Sequence, residues 1–158
     1  MFDDERSGKI ALIAHCILNQ NSRAAGLAER PSMITEILKF LASNEIGVIQ
    51  MPCPELAYAG ALRAPQTESQ NNDTTFRRQC KRIAQEIADQ IRQYEEHEIR
   101  LKLVIGVDGS PSCSVHNSGI FMEKLRLALN KRGITAPFYD IHYRSLNKDI
   151  MKLKKLIE

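Results

Sequence analysis

No stretch of this sequence is long and apolar enough to cross a bilayer, which takes roughly 20 consecutive apolar residues. A membrane-spanning helix is therefore not expected. The first residues, Met1-Phe2-Asp3-Asp4-Glu5-Arg6, lack the positive start and apolar centre of a secretory signal, so a cytoplasmic location is expected. Neither sign of charge is in large excess. The net charge of +3 is too small to point to nucleic acid as a partner. Lys148, Lys152, Lys154 and Lys155 form the one basic cluster, which reads as a solvated helix face. Cysteines are few (Cys16, Cys53, Cys80 and Cys113), and they lack the close pairing from which zinc fingers and ribbons draw their ligands. Disulfides do not suit a reduced compartment. Internal repeats and low-complexity segments are absent too. What remains is a chain of 158 residues, 43% hydrophobic and 26% charged, the size and balance of one globular domain. A single domain over residues 1–158 is expected, and nothing specifies an oligomeric state.

Within that domain, apolar runs alternate with segments of helical spacing. Lys9 to Ala14 reads as a buried strand, followed by a polar loop from His15 to Arg30. Pro31 suits the first position of a helix whose inner face is Ile34, Ile37, Leu38 and Leu41, with Asn44 as its stop. Ile46 to Met51 reads as a second strand, ending in Pro52-Cys53-Pro54-Glu55. The prolines are expected to hold the backbone on both sides of Cys53 stiff and non-helical, within a long loop from Pro52 to Asn72. Asp73 or Thr74 caps a helix reaching to about His97, with Phe76, Cys80, Ile83, Ile87, Ile91 and Tyr94 on its buried stripe. Leu101 to Val107 is a third strand, and Asp108-Gly109-Ser110-Pro111 a turn. Ser118 is placed to cap a helix carrying Phe121, Met122, Leu125 and Leu129. Lys131, Arg132 and Gly133 suit that helix's C-terminal end. Phe138 to Ile141 is a fourth strand, and Leu146, Ile150, Leu153 and Ile157 mark a last helix. This alternation specifies an α/β fold: a single-domain, Rossmann-like parallel sheet of about four strands with helices on both faces. Ligands of such folds bind at the carboxyl ends of the strands.

Three cysteines fall on that edge. Cys16 follows the first strand, Cys53 the second and Cys113 the third. Cys80 lies on an apolar helical stripe and reads as a core residue. Three thiolates converging at one edge suit a soft metal centre. A zinc site would take a fourth ligand, for which His15 and His116 are placed by position. An iron–sulfur cluster held by only three cysteines would leave one iron open to a substrate. His97 and His142 have no neighbours in sequence that single them out. Glu55, two residues from Cys53, is placed to act as a general base. Ser110 and Ser112 are placed to donate hydrogen bonds to sulfur or to a substrate, and Arg63 to face an anionic group.

Cys16-Ile17-Leu18, Cys53-Pro54-Glu55 and Ser110-Pro111-Ser112-Cys113, in that order, resemble the motifs of the thiouracil desulfurase (TudS) family of desulfidases. The resemblance runs from about Ile10 to Met122. It implies an α/β protein that holds a 4Fe-4S cluster and takes sulfur from a thiolated small molecule such as a thiolated nucleobase. Carried over residue by residue, it implies cluster ligands at Cys16, Cys53 and Cys113, a catalytic carboxylate at Glu55 and a catalytic serine at Ser110. Departures fall around the pocket. Ala59-Gly60 stands where the family has a Gly-Gly pair, Arg63-Ala64-Pro65-Gln66-Thr67 lacks the family's final acid, and Ser114 replaces a glycine. Asn19, Asn21 and Arg23 stand in place of an arginine, tyrosine and aspartate run. These changes bear on the substrate more than on the cofactor. The competing readings are a non-catalytic iron–sulfur carrier or electron-transfer protein and a structural zinc domain.

Overall fold

The computed structural model describes residues 1–66, 73–117 and 119–158. Four strands carry the fold: β1 (Lys9–Ala14), β2 (Gly47–Met51), β3 (Arg100–Val107) and β4 (Phe138–Ile141). They form one sheet of order β2-β1-β3-β4, in which every neighbouring pair is parallel. The helices are α1 (His15–Leu18), α2 (Thr35–Ser43), α3 (Pro54–Ala59), α4 (Thr74–Glu95), α5 (Ile120–Lys131) and α6 (Leu146–Ile157), with a 3-10 turn at Gln20–Ser22.

The topology follows from the handedness of parallel crossovers. The chain leaves β1 for β2 on one side, then returns past β1 to β3 and continues to β4. Right-handed connections therefore put α2 on one face and α4 and α5 on the other. Contacts agree, since α4 packs on α5 while α2 packs on α6. β1 and β3 are central, and nearly every side chain in them is buried. β2 is an edge strand and mostly exposed, although Val48, Ile49 and Met51 are apolar. The order reverses between β1 and β3, the place where a sheet of this kind leaves a crevice at its carboxyl edge. Register fixes what faces that crevice. Ala14 pairs with Met51, so Cys16 and Cys53 each lie two residues beyond paired strand ends.

Three local expectations are overturned. Pro31 opens no helix: α2 begins at Thr35. The Ser32 carbonyl accepts the Gln20 N–H at 2.6 Å, and the Ile34 N–H bonds to the Ile17 carbonyl at 2.9 Å. Those bonds hold the segment extended, and Ile34 is buried just before the helix. Cys16 does not sit in a loop, because β1 turns directly into α1. Finally, the backbone after Cys53 is helical. Pro54 is the first residue of α3, a position where proline's missing N–H costs nothing, and Cys53 is the extended N-cap. The reading of Pro52 to Asn72 as a loop thus holds a helix in its first part, and its end lies outside the described residues. Ser118, expected to cap α5, also lies outside them, and Gly119 occupies the N-cap. Asp73 does cap α4, accepting the Phe76 N–H at 2.8 Å.

Candidate active site

Each of the three strand ends delivers its cysteine to the same cleft, a space of about 80 Å³ lined by Cys16, Cys53, Cys113, Glu55 and Arg63 together with the Ser110–Ser112 turn. Cys16 is half-buried on α1 and Cys53 half-buried at the start of α3, while Cys113 is buried in the loop after β3. Cys53 Sγ accepts the Leu56 N–H at 3.4 Å, so the thiol itself caps α3. Arg63 Nη2 approaches the same sulfur at 3.9 Å. Burial pushes all three thiols up from their ordinary range. Cys113 is pushed furthest, first by burial and then by the charges that Cys53 and Cys16 would carry. Arg23 works against the rise at Cys16; the Leu56 N–H and Arg63 do so at Cys53.

Glu55 is buried, and its Oε2 accepts the Ser112 hydroxyl at 2.6 Å. Its Oε1 lies 3.7 Å from Arg63 Nε, a buried charge contact in which that Nε has no hydrogen-bond partner among the described residues. Arg63 Nη1 is held by the Ser22 carbonyl at 2.8 Å. The arginine therefore spans the cleft wall from the Gln20–Ser22 turn to α3. Ser110 plays a different part from Ser112. Its Oγ accepts the Cys113 N–H at 3.0 Å, which closes the turn and leaves its own proton to give. Ser112 donates to Glu55 at 2.6 Å, with Cys113 Sγ farther away at 3.7 Å.

The loop that carries Cys113 is held from beneath by Asp140, a fully buried residue of β4. Its carboxylate accepts the N–H groups of Val115 (2.7 Å) and His116 (3.0 Å) and the Ser114 hydroxyl (3.1 Å). Two glycines admit that loop. A Cβ on Gly106 would overlap the Cys113 carbonyl oxygen, and one on Gly119 would lie 2.6 Å from both the Ser112 oxygen and the Ser114 nitrogen.

This donor set suits a soft centre spread over several atoms. Three thiols surround one space, thiolate charge on Cys16 raises the proton affinity of Cys53 and charge on both raises that of Cys113, and two guanidinium groups are at hand to offset thiolate charge. Among the described residues, no three His, Cys, Asp or Glu side chains gather as a site for a single metal ion. Of the two histidines considered as fourth ligands, His15 lines the cleft with its Nδ1 engaged by Gln50 Nε2. His116 is exposed. Cys80 is buried on α4, as expected. His142, which no neighbour in sequence singles out, bonds through Nδ1 to buried Asp149 at 2.8 Å.

The sequence reading also missed Asp140, Gln20 and Tyr143. Asp140 had a signal, being the one charge inside a short buried strand. Tyr143 had one as well, standing two residues past the end of β4 just as Cys16 stands past β1.

The model of the family described as "Putative 2-thiouracil desulfurase" matches residues 8–124, a span that contains all three cleft cysteines, Glu55, Ser110 and Ser112. A protein of Methanocaldococcus jannaschii, named only as uncharacterized, is 32% identical over 153 residues, covering 95% of this chain and 97% of its own length. No solved structure matches the chain.

Proposed function

This chain belongs to the 2-thiouracil desulfurase family, and from that premise we propose that it hydrolyses the carbon–sulfur bond of a thiolated small molecule such as a thiolated nucleobase. We further propose that Cys16, Cys53 and Cys113 hold a 4Fe-4S cluster. The observation that carries the reading is the meeting, in one cleft, of three thiols from three strand ends with the buried Glu55–Ser112 pair. Bound there, such a cluster would supply a Lewis-acidic iron without a protein ligand; the remaining work falls to the chain's own groups.

Glu55 is the proposed general base. A water attacks the thiocarbonyl carbon, its oxygen forms the new bond and its proton passes to the carboxylate. The C–S bond then breaks, and the sulfur leaves as hydrosulfide after taking up a proton. The carbon keeps its oxidation state, so no external reductant or oxidant enters the balance. Ser112 steadies Glu55 by donating to Oε2 at 2.6 Å. Arg63 Nε faces the other carboxylate oxygen, Oε1, at 3.7 Å. Ser110, with its oxygen occupied by the Cys113 N–H, is the proposed donor to a substrate heteroatom.

Purification without oxygen, an absorption spectrum and an iron and sulfide assay test the cofactor. About four iron and four sulfide per chain, with broad visible absorbance, are expected for a cluster of this type. Incubation of that protein with 2-thiouracil tests the reaction, with uracil and sulfide formed in equal amounts as the expected result. A colourless protein that cannot be reconstituted with iron and sulfide, yet carries stoichiometric zinc, would replace this reading with a zinc domain.

A further inference from the structure

Cys16 differs from the other two thiols of the cleft in the donor it faces. Gln20 is 1% exposed, and both ends of its amide are held. Oε1 accepts the Glu29 N–H at 2.9 Å, while Nε2 donates to the Cys16 carbonyl at 2.8 Å. The second Nε2 proton goes to Tyr143 Oη at 3.0 Å. These partners fix which end of the amide is nitrogen. The phenol oxygen thus receives a hydrogen bond from Gln20, and its single proton is free to point elsewhere. Cys16 Sγ lies 3.8 Å from that oxygen, within the longer reach of a hydrogen bond to sulfur. The ring is held too, because the Arg23 guanidinium sits over it at 5.1 Å from the centroid, a cation–π stack.

We infer that Tyr143 is a positioning residue whose hydroxyl donates to Cys16 Sγ and draws electron density off that sulfur, an inference that rests on Cys16 holding the proposed cluster. A donor of this kind favours the more negative, reduced state of an iron–sulfur centre and raises its reduction potential. The fourth strand end thereby joins the other three in shaping the site. It also gives Cys16 an electronic setting that Cys53, faced by a backbone N–H and an arginine, does not share.

The test compares wild-type protein with Tyr143→Phe, which keeps the ring and its stack on Arg23 and removes only the hydroxyl. Both are purified without oxygen, assayed for iron and titrated with mediators while the cluster signal is followed by electron paramagnetic resonance. At equal iron content, Tyr143→Phe is expected to have the lower potential. A shift corresponding to about a tenfold change in the one-electron equilibrium, ~59 mV, sets the scale. Gln20→Met keeps the hydroxyl but removes the donor that aims it, and is expected to shift the potential the same way by less. Equal potentials at equal iron content overturn the role of Tyr143 and leave the cluster reading intact. A wild-type protein that takes up no iron overturns both.

Discussion

Glu55 and the thiols around it are expected to fail in different ways when replaced. Glu55→Gln keeps the shape and can still accept from Ser112, but it cannot take a proton. Turnover is expected to fall by about 10²–10⁴-fold while iron content stays at the wild-type level, and kinetics and an iron assay on one sample read both. Iron lost from that variant would make Glu55 a structural residue. Cys80 gives the opposite control. It is fully buried on α4, and its replacement by alanine is expected to spare iron and turnover while costing about 1 kcal/mol of packing. It also carries a pH signature, since burial pushes its thiol up to about 12 from 9.0. The folded state keeps that proton where the unfolded state loses it, so this contribution to stability is present below pH 9 and declines as pH rises through 9 toward 12. Denaturant melts at pH 8 and pH 10 are expected to show a smaller alkaline loss for Cys80→Ala than for wild type, by at most about 1.4 kcal/mol per pH unit. Equal losses would remove Cys80 as the cause. At this scale the thiols were legible because each lies just past an apolar run. Gln20 was not, because its meaning lies in a contact across 123 positions, which no local pattern contains, and Tyr143 was marked only by its place past the end of β4.

Among the elements, β1, β3 and β4 were readable to within a residue because buried parallel strands are nearly continuous apolar runs. α4 was readable from its stripe and from Asp73 at its cap. β2 was read correctly as a strand, but its exposure was not legible, since an edge strand is defined by what fails to pair beside it. α3 was hidden by the same two prolines that mark the site. Pro52 and Pro54 were both read as enforcing extended backbone, whereas Pro54 begins a helix and only Cys53 before it stays extended. That helix start turns Glu55 toward Ser112. The loop after β3 is the other element the site depends on, and two glycines make room for it beside the Asp140 carboxylate that holds it. Gly119→Ala forces a Cβ to 2.6 Å from the Ser112 and Ser114 backbone, where only the backbone can give way. The variant is expected to lose about 1–3 kcal/mol by overpacking and to bind less iron, because Cys113 moves with the loop. Denaturant midpoints and iron content measure the two effects. A variant with wild-type iron would show that the loop yields on its Ser114 side and leaves Cys113 in place.

The whole molecule brings together groups that the chain keeps far apart. Cys16 and Cys53 come from the two sides of the β1–β2 crossover, and Cys113 arrives only after α4 has crossed the sheet to β3. None of the three can meet the others until the order β2-β1-β3-β4 has formed, so the unfolded chain offers no preformed site. A group bound by all three therefore binds the folded state alone and stabilises it in proportion to the logarithm of its concentration over its dissociation constant. It also closes the two chain segments between the three cysteines, which the fold alone must otherwise hold against chain entropy. The free thiols add nothing comparable, since burial pushes all three up and favours their protonated form in the cleft. Protein reconstituted with iron and sulfide is thus expected to melt at a higher temperature than the same protein after chelation, under matched anaerobic conditions. Cys113→Ala is expected to abolish the difference without lowering the melting point of the stripped form by as much. If loaded and stripped wild-type proteins melt together, the three cysteines do not share a ligand, and their convergence at the switch between β1 and β3 reflects packing alone.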